Sequence, residues 1–383
     1  MTGPLHGFRV IELAGIGPAP FAGALLADLG ADVVRVDRLP GAAALLDLPP
    51  RFDFYNRNKR SIALDLKQPA AVRAILAMLP RADALLEGFR PGVTERLGLG
   101  PTVCLEANPR LVYGRITGWG QDGPLAQKAG HDINYLALSG ALHCFGPSDR
   151  PPPPPLNLVA DLGGGALYLA VGVLAAALEA RGSGRGQVVD AAMIDGVSNL
   201  MSLFQAFRQV GAWSADRNDN LLDGGAHFYR TYETRDGKYV AVGALEPQFY
   251  AALLEAMGLA GESLPEQNDR RAWPAMRERF AAIFRMRSRD EWVQATAGHD
   301  ACLAPVLDLE EAPLHPQMRA RESHTYFDEA QHPSPAPRFD RTPATLRRPA
   351  PAPGQHSCEA LAEWGVPAAD IAALRACGAM AQS

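Results

Sequence analysis

Two short segments carry side chains that can move a proton. One is Gly130-His131-Asp132-Ile133-Asn134-Tyr135, the densest polar cluster of the chain, and the other is Asp161, which stands between an apolar segment and three glycines. Histidine titrates near neutrality and can act as an acid or a base. A buried aspartate can hold a proton transiently, because burial raises its pKa. Each also has a plainer explanation, since a histidine at a helix start is commonly structural and an aspartate there is commonly an N-cap.

The glycines after Asp161, Gly163–Gly165, allow two interpretations. They would let a ligand approach the backbone closely, with Asp161 as the N-cap of a helix over 166–180 whose first amides stabilise a developing negative oxygen. Alternatively, they only serve helix packing. The residues alone do not decide between these two.

Basic side chains stand close to predicted strand ends, where parallel sheets bind ligands. Several of them could converge on a phosphate group, although most surface arginines are simply solvated. The set comprises Arg38, Lys59, Arg60, Lys67, Arg90 and Arg96.

Strands and helices alternate in the first half of the chain. The pattern predicts strands over 8–13, 32–37, 61–66, 84–87 and 111–116, with helices over 21–29 and 70–79. This alternation predicts a large α/β domain with a doubly wound, Rossmann-like parallel sheet. Gly15 and Gly17 resemble the start of a dinucleotide-binding turn, but Pro20 occupies the place of its third glycine, which disfavours nicotinamide binding.

The pattern changes after about residue 215. Before that point, a proline run over 151–155 must be extended, and a strand over 187–190 and a helix over 191–210 are predicted. After it, the pattern is that of a hairpin. Strands over 228–234 and 239–244 flank a hairpin turn and precede helical segments. We therefore expect a large α/β domain over 1–215, a small α+β domain over 216–320, and a C-terminal segment over 321–383 that returns to the large domain.

Composition excludes several classes of protein. The net charge of −5 and the isoelectric point near 6.0 disfavour nucleic acid and anionic membranes as partners. The apolar run over 162–178 is short for a membrane span and is expected to be a buried core helix. Five scattered cysteines and an N-terminus without a signal-peptide pattern predict a cytoplasmic protein without a zinc site or disulfide framework.

Several segments together resemble the class III CoA-transferase and racemase family, and the resemblance runs from residue 5 to about 340. Family-level similarity lies in the opening segments over 10–18 and 26–37 and in Leu86-Glu87-Gly88-Phe89-Arg90-Pro91-Gly92-Val93. The segments over 130–135, 222–226 and 243–250 are similar to the racemases of the family. The resemblance assigns nothing to residues 51–58.

The resemblance implies a racemase that interconverts (R)- and (S)-2-methylacyl-CoA thioesters by proton transfer through an enolate. It implies His131 and Asp161 as the two acid/base groups, Glu246 as the residue that holds His131, and Asp132 as a stabiliser of the enolate oxygen. It also implies an interlocked homodimer. Coenzyme A would be part of the substrate, with no separate cofactor and no metal. The expected CoA-binding residues are Arg38, Leu64, Asp65, Leu66, Lys67, Gly88, Phe89, Arg90, Arg96, Gly130, His131, Asp132, Ile133, Asn134 and Tyr135.

Two other functions remain open. In a CoA-transferase, Asp161 would be the nucleophile that forms a mixed anhydride and then a CoA thioester, and His131 is the feature against it. A non-catalytic acyl-CoA-binding protein is the third possibility.

Overall fold

A computed structural model describes residues 3–41 and 48–383. The chain divides into two compact units. The first contains the residues up to Ser139 together with Pro155–Leu200 and Gln317–Ser383, and the second contains Gly140–Pro154 and Met201–Pro316. The predicted boundaries were simpler: residues 140–154 and 201–215, which were predicted in the large domain, group with the second unit, and no compositional signal marks them.

A seven-stranded sheet forms the centre of the first unit. Its strands are β1 (Arg9–Leu13), β2 (Asp32–Asp37), β3 (Arg60–Leu64), β4 (Ala84–Glu87), β5 (Val112–Thr117), β6 (Val188–Ala192) and β12 (Met380–Ala381). Their order is β12-β3-β2-β1-β4-β5-β6. All neighbours are parallel except β12, which pairs antiparallel with β3. The mixed α/β class with a large parallel sheet is confirmed.

Helices connect these strands, and three of the seven among the described residues begin with a proline, whose fixed φ suits the first helical position. They are α1 (Pro18–Asp28), α2 (Pro69–Met78), α3 (Val93–Arg96), α4 (Pro101–Ala107), α5 (Asp132–Leu138), α6 (Leu167–Ser183) and α7 (Met193–Leu200), with short 3₁₀ turns at Pro50–Phe52 and Leu79–Arg81. One apolar core joins the middle strands to α2 and the C-terminal helices.

The C-terminal segment packs on the first unit. It contributes a hairpin of β10 (His324–Phe327) and β11 (Ala330–Pro333), then α13 (Ser357–Glu363), α14 (Ala368–Ala376) and β12. Trp364 is completely buried in the core.

The second unit has its own aromatic core and a three-stranded antiparallel sheet. The sheet contains β7 (Tyr229–Glu233), β8 (Tyr239–Gly243) and β9 (Leu303–Pro305) in that order. The helices are α8 (Ser202–Gln209), α9 (Pro247–Ala256), α10 (Trp273–Phe284), α11 (Arg289–Thr296) and the start of α12 (Pro316–Ala320), with 3₁₀ turns at Leu142–Cys144 and Ala312–Leu314. The predicted hairpin corresponds to β7 and β8.

The apolar run after Asp161 is not the buried core helix that we expected. A π-helical segment, Leu158–Ala166, continues directly into α6. Leu169 and Val173 are buried, but Leu167, Val171 and Leu178 are 48%, 68% and 72% exposed. By length and composition alone, Leu158–Ser183 is long and apolar enough to cross a membrane. A single helix of this kind is weak evidence for a membrane span, because core helices pass the same test.

Candidate active site

The strand order of the first unit defines where a ligand is expected. Connections leave β1 toward β2 on one side and reach β4 on the other, so the order reverses between β1 and β4. In doubly wound sheets, ligands bind at the carboxyl ends of the strands beside such a reversal. Leu13 and Glu87 end these two strands. The loops that follow them, 14–17 and 88–92, therefore border the candidate site.

Gly17 brings the first of these loops against Asp161. It has a φ of +72°, which favours glycine, and it immediately precedes α1. A β-carbon placed on Gly17 would lie 3.5 Å from Oδ2 of Asp161. The π-helical segment that carries Asp161 also packs on α1. The carboxyl group of Asp161 thus lies beside the first turn of α1 at the reversal point of the sheet.

His131 occupies the N-cap position of α5 and is exposed within this chain. Its backbone N–H donates to Oδ1 of Asn134 at 3.0 Å. This bond lets the Asn134 side chain fix the start of the helix. The ring of His131 is therefore held on a defined backbone and stays accessible.

Tyr135 holds the backbone of the segment that carries His131. Its ring packs edge-on against Trp119 at 4.7 Å between centroids, and its hydroxyl donates to the carbonyl of Gly130 at 2.5 Å. Burial, with the nearby charges of Asp161 and Asp132, raises the pKa of Tyr135 to about 12. Tyr135 is thus a buried neutral donor that fixes the residue before His131, and it lies within the field of Arg90.

Asp132 connects the two proton-moving segments. Its Oδ2 accepts the backbone N–H groups of Ala160 and Asp161, each at 2.8 Å. Asp132 is only 5% exposed, and its Oδ1 is buried without a hydrogen-bond partner among the residues that the structure describes. Burial raises the pKa of Asp132, while the two amide bonds oppose that shift. The residue next to His131 therefore fixes the backbone of Asp161.

The environment of Asp161 suits a carboxyl group that exchanges a proton. Burial raises its pKa, and the charge of Asp132 adds to the increase. A hydrogen bond of 3.3 Å from Nδ2 of Asn157 and the charge of His131 act in the opposite direction. Asn157 was not predicted as a site residue, because it lies one helical turn before Asp161 in a segment that no sequence pattern indicates as helical.

The glycines after Asp161 serve packing, and the N-cap interpretation of Asp161 was wrong. Asn157 is the N-cap of the π-helical segment, so Asp161 and the glycines lie inside the helix. A β-carbon on Gly196 of α7 would lie 1.8 Å from the carbonyl oxygen of Gly164, and one on Gly165 would lie 2.8 Å from Met193. These contacts leave no room for a ligand at Gly164 and Gly165.

Three arginines of the predicted CoA site follow strands at the carboxyl edge. Arg38 follows β2, Arg90 follows β4, and Arg96 ends α3; all three are exposed. Lys67 is exposed after β3, and its N–H donates to Oδ1 of Asp65. Positive side chains with this exposure are available to phosphate groups.

The remaining predicted CoA-binding residues differ in accessibility. The side chain of Leu64 lies in the core and Leu66 packs against it, so these two can offer mainly backbone. Gly88 is exposed, and a β-carbon on it would lie 3.3 Å from Ala19. Phe89 is half-buried, and Ile133 is 42% exposed.

A buried ion-pair network holds the loop after β4. Nε of Arg115 donates to Glu87 at 2.7 Å, and its Nη1 donates to Glu95 at 2.8 Å. The other oxygen of Glu87 accepts the N–H of Phe89 at 2.7 Å. Arg115 therefore ties α3 and the Gly88–Arg90 loop to the sheet, a role that sequence analysis did not assign.

Lys59 and Arg60 do not belong to the basic set that we predicted. Lys59 is fully buried and pairs with Glu12 at 2.7 Å. Arg60 begins β3 and pairs with Asp32, the first residue of β2, so it lies at the amino edge of the sheet. Lys59 and Arg60 therefore neutralise buried or half-buried carboxylates within the sheet.

Glu246 belongs to the second unit, where it is the exposed N-cap of α9. Its action on His131 stays a prediction. Among residues 3–41 and 48–383, no group of three or more His, Cys, Asp or Glu side chains is arranged to hold a metal ion.

Comparisons with known proteins identify the class of this molecule. Residues 5–357 match the model of CoA-transferase family III. The chain therefore belongs to CoA-transferase family III, as the motifs predicted.

Individual relatives narrow the similarity. The chain is 48% identical over 363 residues to an alpha-methylacyl-CoA racemase of Mus musculus and 45% identical over 366 residues to that of Homo sapiens, with 94% of this chain and 93% of each relative covered. The crystal structure of a CAIB/BAIF family protein from Brucella suis superposes with a TM-score of 0.81 at 26% identity, covering 95% of this chain and all of that one. The resemblance to the racemases of the family is thus confirmed.

Proposed function

We propose that this chain is a racemase that interconverts (R)- and (S)-2-methylacyl-CoA thioesters. The racemase relatives support this activity, since they match nearly the whole chain. The observation that carries the chemistry is the hydrogen bond from the backbone N–H of Asp161 to the carboxylate of Asp132, because Asp132 directly follows His131. Two different acid/base groups on one fixed frame are what inversion at a single carbon requires.

The proposed reaction has two proton transfers. The α-hydrogen of a thioester is weakly acidic, so its removal must be coupled to stabilisation of the enolate oxygen. One of His131 and Asp161 takes the proton from one face of the carbon, and the other delivers a proton to the opposite face. The raised pKa of Asp161 helps it to hold the proton between these steps. This chemistry calls for no metal and no redox cofactor.

Asp132 is proposed to act on the enolate oxygen through its backbone. Its carboxylate already accepts hydrogen bonds from two backbone amides, and its negative charge would repel the negative enolate oxygen. The first N–H groups of a helix lack an intrahelical acceptor, and Asp132 is the first residue of α5. The N–H of Asp132 is therefore the group that this residue offers to the oxygen.

The CoA moiety is proposed to bind along the carboxyl edge of the sheet. Arg38, Lys67, Arg90 and Arg96 would neutralise its phosphates, and the exposed Gly88 would allow close backbone contact. Glu246 is proposed to hold His131, as the family resemblance implies.

The activity is tested with pure epimers of a 2-methylacyl-CoA in deuterated solvent. We expect α-deuterium incorporation and decay of optical purity to the racemate from either epimer. The proposal fails if neither occurs with a panel of branched acyl and arylpropionyl thioesters.

The same assay with a carboxylate acceptor and hydroxylamine added separates a racemase from a CoA-transferase, the alternative that the family name raises. A transferase would form an acyl-enzyme at Asp161, so a carboxylate acceptor would become a new acyl-CoA and hydroxylamine would trap the enzyme. We expect neither outcome.

We also propose that the chain works as a homodimer. The exposed apolar side chains of α6, among them Val171 and Leu178, support an apolar contact partner for this face. The solution mass, measured by light scattering without detergent, should be twice that of one chain, and Val171→Asp with Leu178→Asp should reduce it to one. A monomeric mass for the unaltered protein, or binding to lipid vesicles, would contradict the dimer proposal.

A further inference from the structure

Residues 53–60 overlap the segment 51–58, to which the family resemblance assigns nothing, and they form a turn fixed at one end by a buried ion pair. Nζ of Lys59 donates to both carboxylate oxygens of Glu12, to the carbonyl of Pro20 and to Oδ1 of Asn56. Asn56 in turn donates to Asp53 at 2.6 Å. The turn is thereby fastened to β1 and to the first turn of α1.

The same turn is fastened on its other side. Arg57 pairs with Asp28 at 2.7 Å and donates to the carbonyl of Pro333 at 2.8 Å. Asn58 has a φ of +63°, donates to Asp28 and accepts the N–H of Arg347. Because Arg57, Asn58 and Asp28 are buried, the backbone around position 55 has little freedom.

Tyr55 is the half-buried side chain that this rigid turn presents to the candidate site. Its ring packs edge-on against Phe21, with 5.1 Å between centroids. Phe21 lies one turn along α1 from Gly17, whose carbonyl accepts its N–H. Since Gly17 borders the Asp161 carboxylate, the Tyr55 ring stands on the same side of α1 as Asp161.

Electrostatics agree with this placement. Burial raises the pKa of Tyr55, and the charge of Asp161 raises it further. The phenol is therefore neutral throughout the neutral range and keeps its proton for donation. Asp161 also interacts electrostatically with Asp132, His131 and Tyr135, and the hydroxyl of Tyr135 is already engaged by the carbonyl of Gly130.

We propose that Tyr55 is a positioning residue for Asp161: the neutral hydroxyl of Tyr55 donates to one water molecule, which in turn donates to the Asp161 carboxylate. A donor to the charged form of a carboxyl lowers its pKa. Tyr55 thus opposes the effect of burial on the pKa of Asp161 and keeps a fraction of Asp161 ionised at neutral pH. This role rests on the proposed function of Asp161 as an acid/base. Nothing in the sequence marks this role, because Tyr55 is distant in sequence from both proton-moving segments.

The test compares Tyr55→Phe with a matched control, Tyr326→Phe, whose side chain is 76% exposed on β10. The kcat/KM for each epimer is measured across pH. We expect the acid limb for Tyr55→Phe to move upward by about one pH unit, with a loss of about tenfold below it and little loss above it. The control should match the unaltered protein. An unmoved acid limb, or an equal loss at every pH, would overturn the proposal.

A second measurement does not depend on turnover. Titration of the ¹³C-labelled carboxyl of Asp161 by NMR should give a higher pKa in Tyr55→Phe than in the unaltered protein. Equal values would refute the role of Tyr55, whereas a difference without racemisation would leave that role intact and refute only the proposed function.

Discussion

Oδ2 of Asp132 and the backbone N–H of Asp161 lie 2.8 Å apart and form a hydrogen bond across 29 residues of sequence. The same oxygen accepts the N–H of Ala160. Asp132 follows His131 directly, so a single carboxylate sets the separation of the two proposed acid/base residues. The site therefore depends on a residue whose side chain performs no proton transfer.

Replacing Asp132 tests this dependence. Asp132→Ala leaves two buried amides without an acceptor, and each such loss costs about 1–3 kcal/mol. We expect kcat to fall by about 100-fold or more, with a smaller change in KM and a lower melting temperature. Asp132→Asn keeps one acceptor oxygen and should be the milder change. Equal activity of the alanine variant and the unaltered protein would contradict the role.

Single-base variants should separate exchange from inversion. In His131→Ala, Asp161 remains, so only the epimer whose α-hydrogen faces Asp161 should exchange with deuterated solvent. In Asp161→Asn, exchange should be confined to the opposite epimer. Inversion should fall by at least about 100-fold in both variants. The assignment is wrong if both epimers still exchange at unchanged rates in His131→Ala.

Helix packing under Asp161 predicts a large difference between two glycine substitutions. Gly196→Ala would place a β-carbon 1.8 Å from the carbonyl oxygen of Gly164, whereas a β-carbon at Gly182 of α6 meets no atom of the described residues within 4 Å. Overpacking typically costs about 1–3 kcal/mol, so Gly196→Ala should lower the free energy of unfolding by at least that much. Gly182→Ala should be neutral or stabilising in the same denaturant titration.

The stability of the second unit should depend on the protonation of His227. This ring is 1% exposed and contacts Tyr250 at 2.8 Å, and burial lowers its pKa to about 4. Because the folded pKa lies below the unfolded value of 6.5, the unfolded state takes up the proton first. The contribution is complete above pH 6.5 and is lost as the pH falls to about 4.

The loss from this single group is about 3 kcal/mol on that shift. Chemical denaturation at pH 7 and pH 4.5 measures it, and His227→Gln should show a smaller difference between the two pH values. An identical pH dependence in the variant would exclude His227 as the cause.

The sequence by itself determined the class of the fold and the residues capable of chemistry. Alternation of apolar strands and helices predicts a parallel sheet, because both faces of its strands must be buried, as in β1 and β4. The polar cluster at His131 and the isolated Asp161 were visible as side-chain types, and their motif context indicated the family.

Only the tertiary structure decided which groups act on one another. Asn157 bonds to Asp161, Arg115 holds Glu87 and Tyr55 packs on Phe21, and no local sequence pattern records these contacts. The same holds for the burial of Lys59 with Glu12 and for the close approach of Gly164 and Gly196. Hydrophobic periodicity records which face of an element is buried, but not which element covers it. Contacts between residues distant in sequence, and the pKa shifts that they cause, therefore require the folded chain.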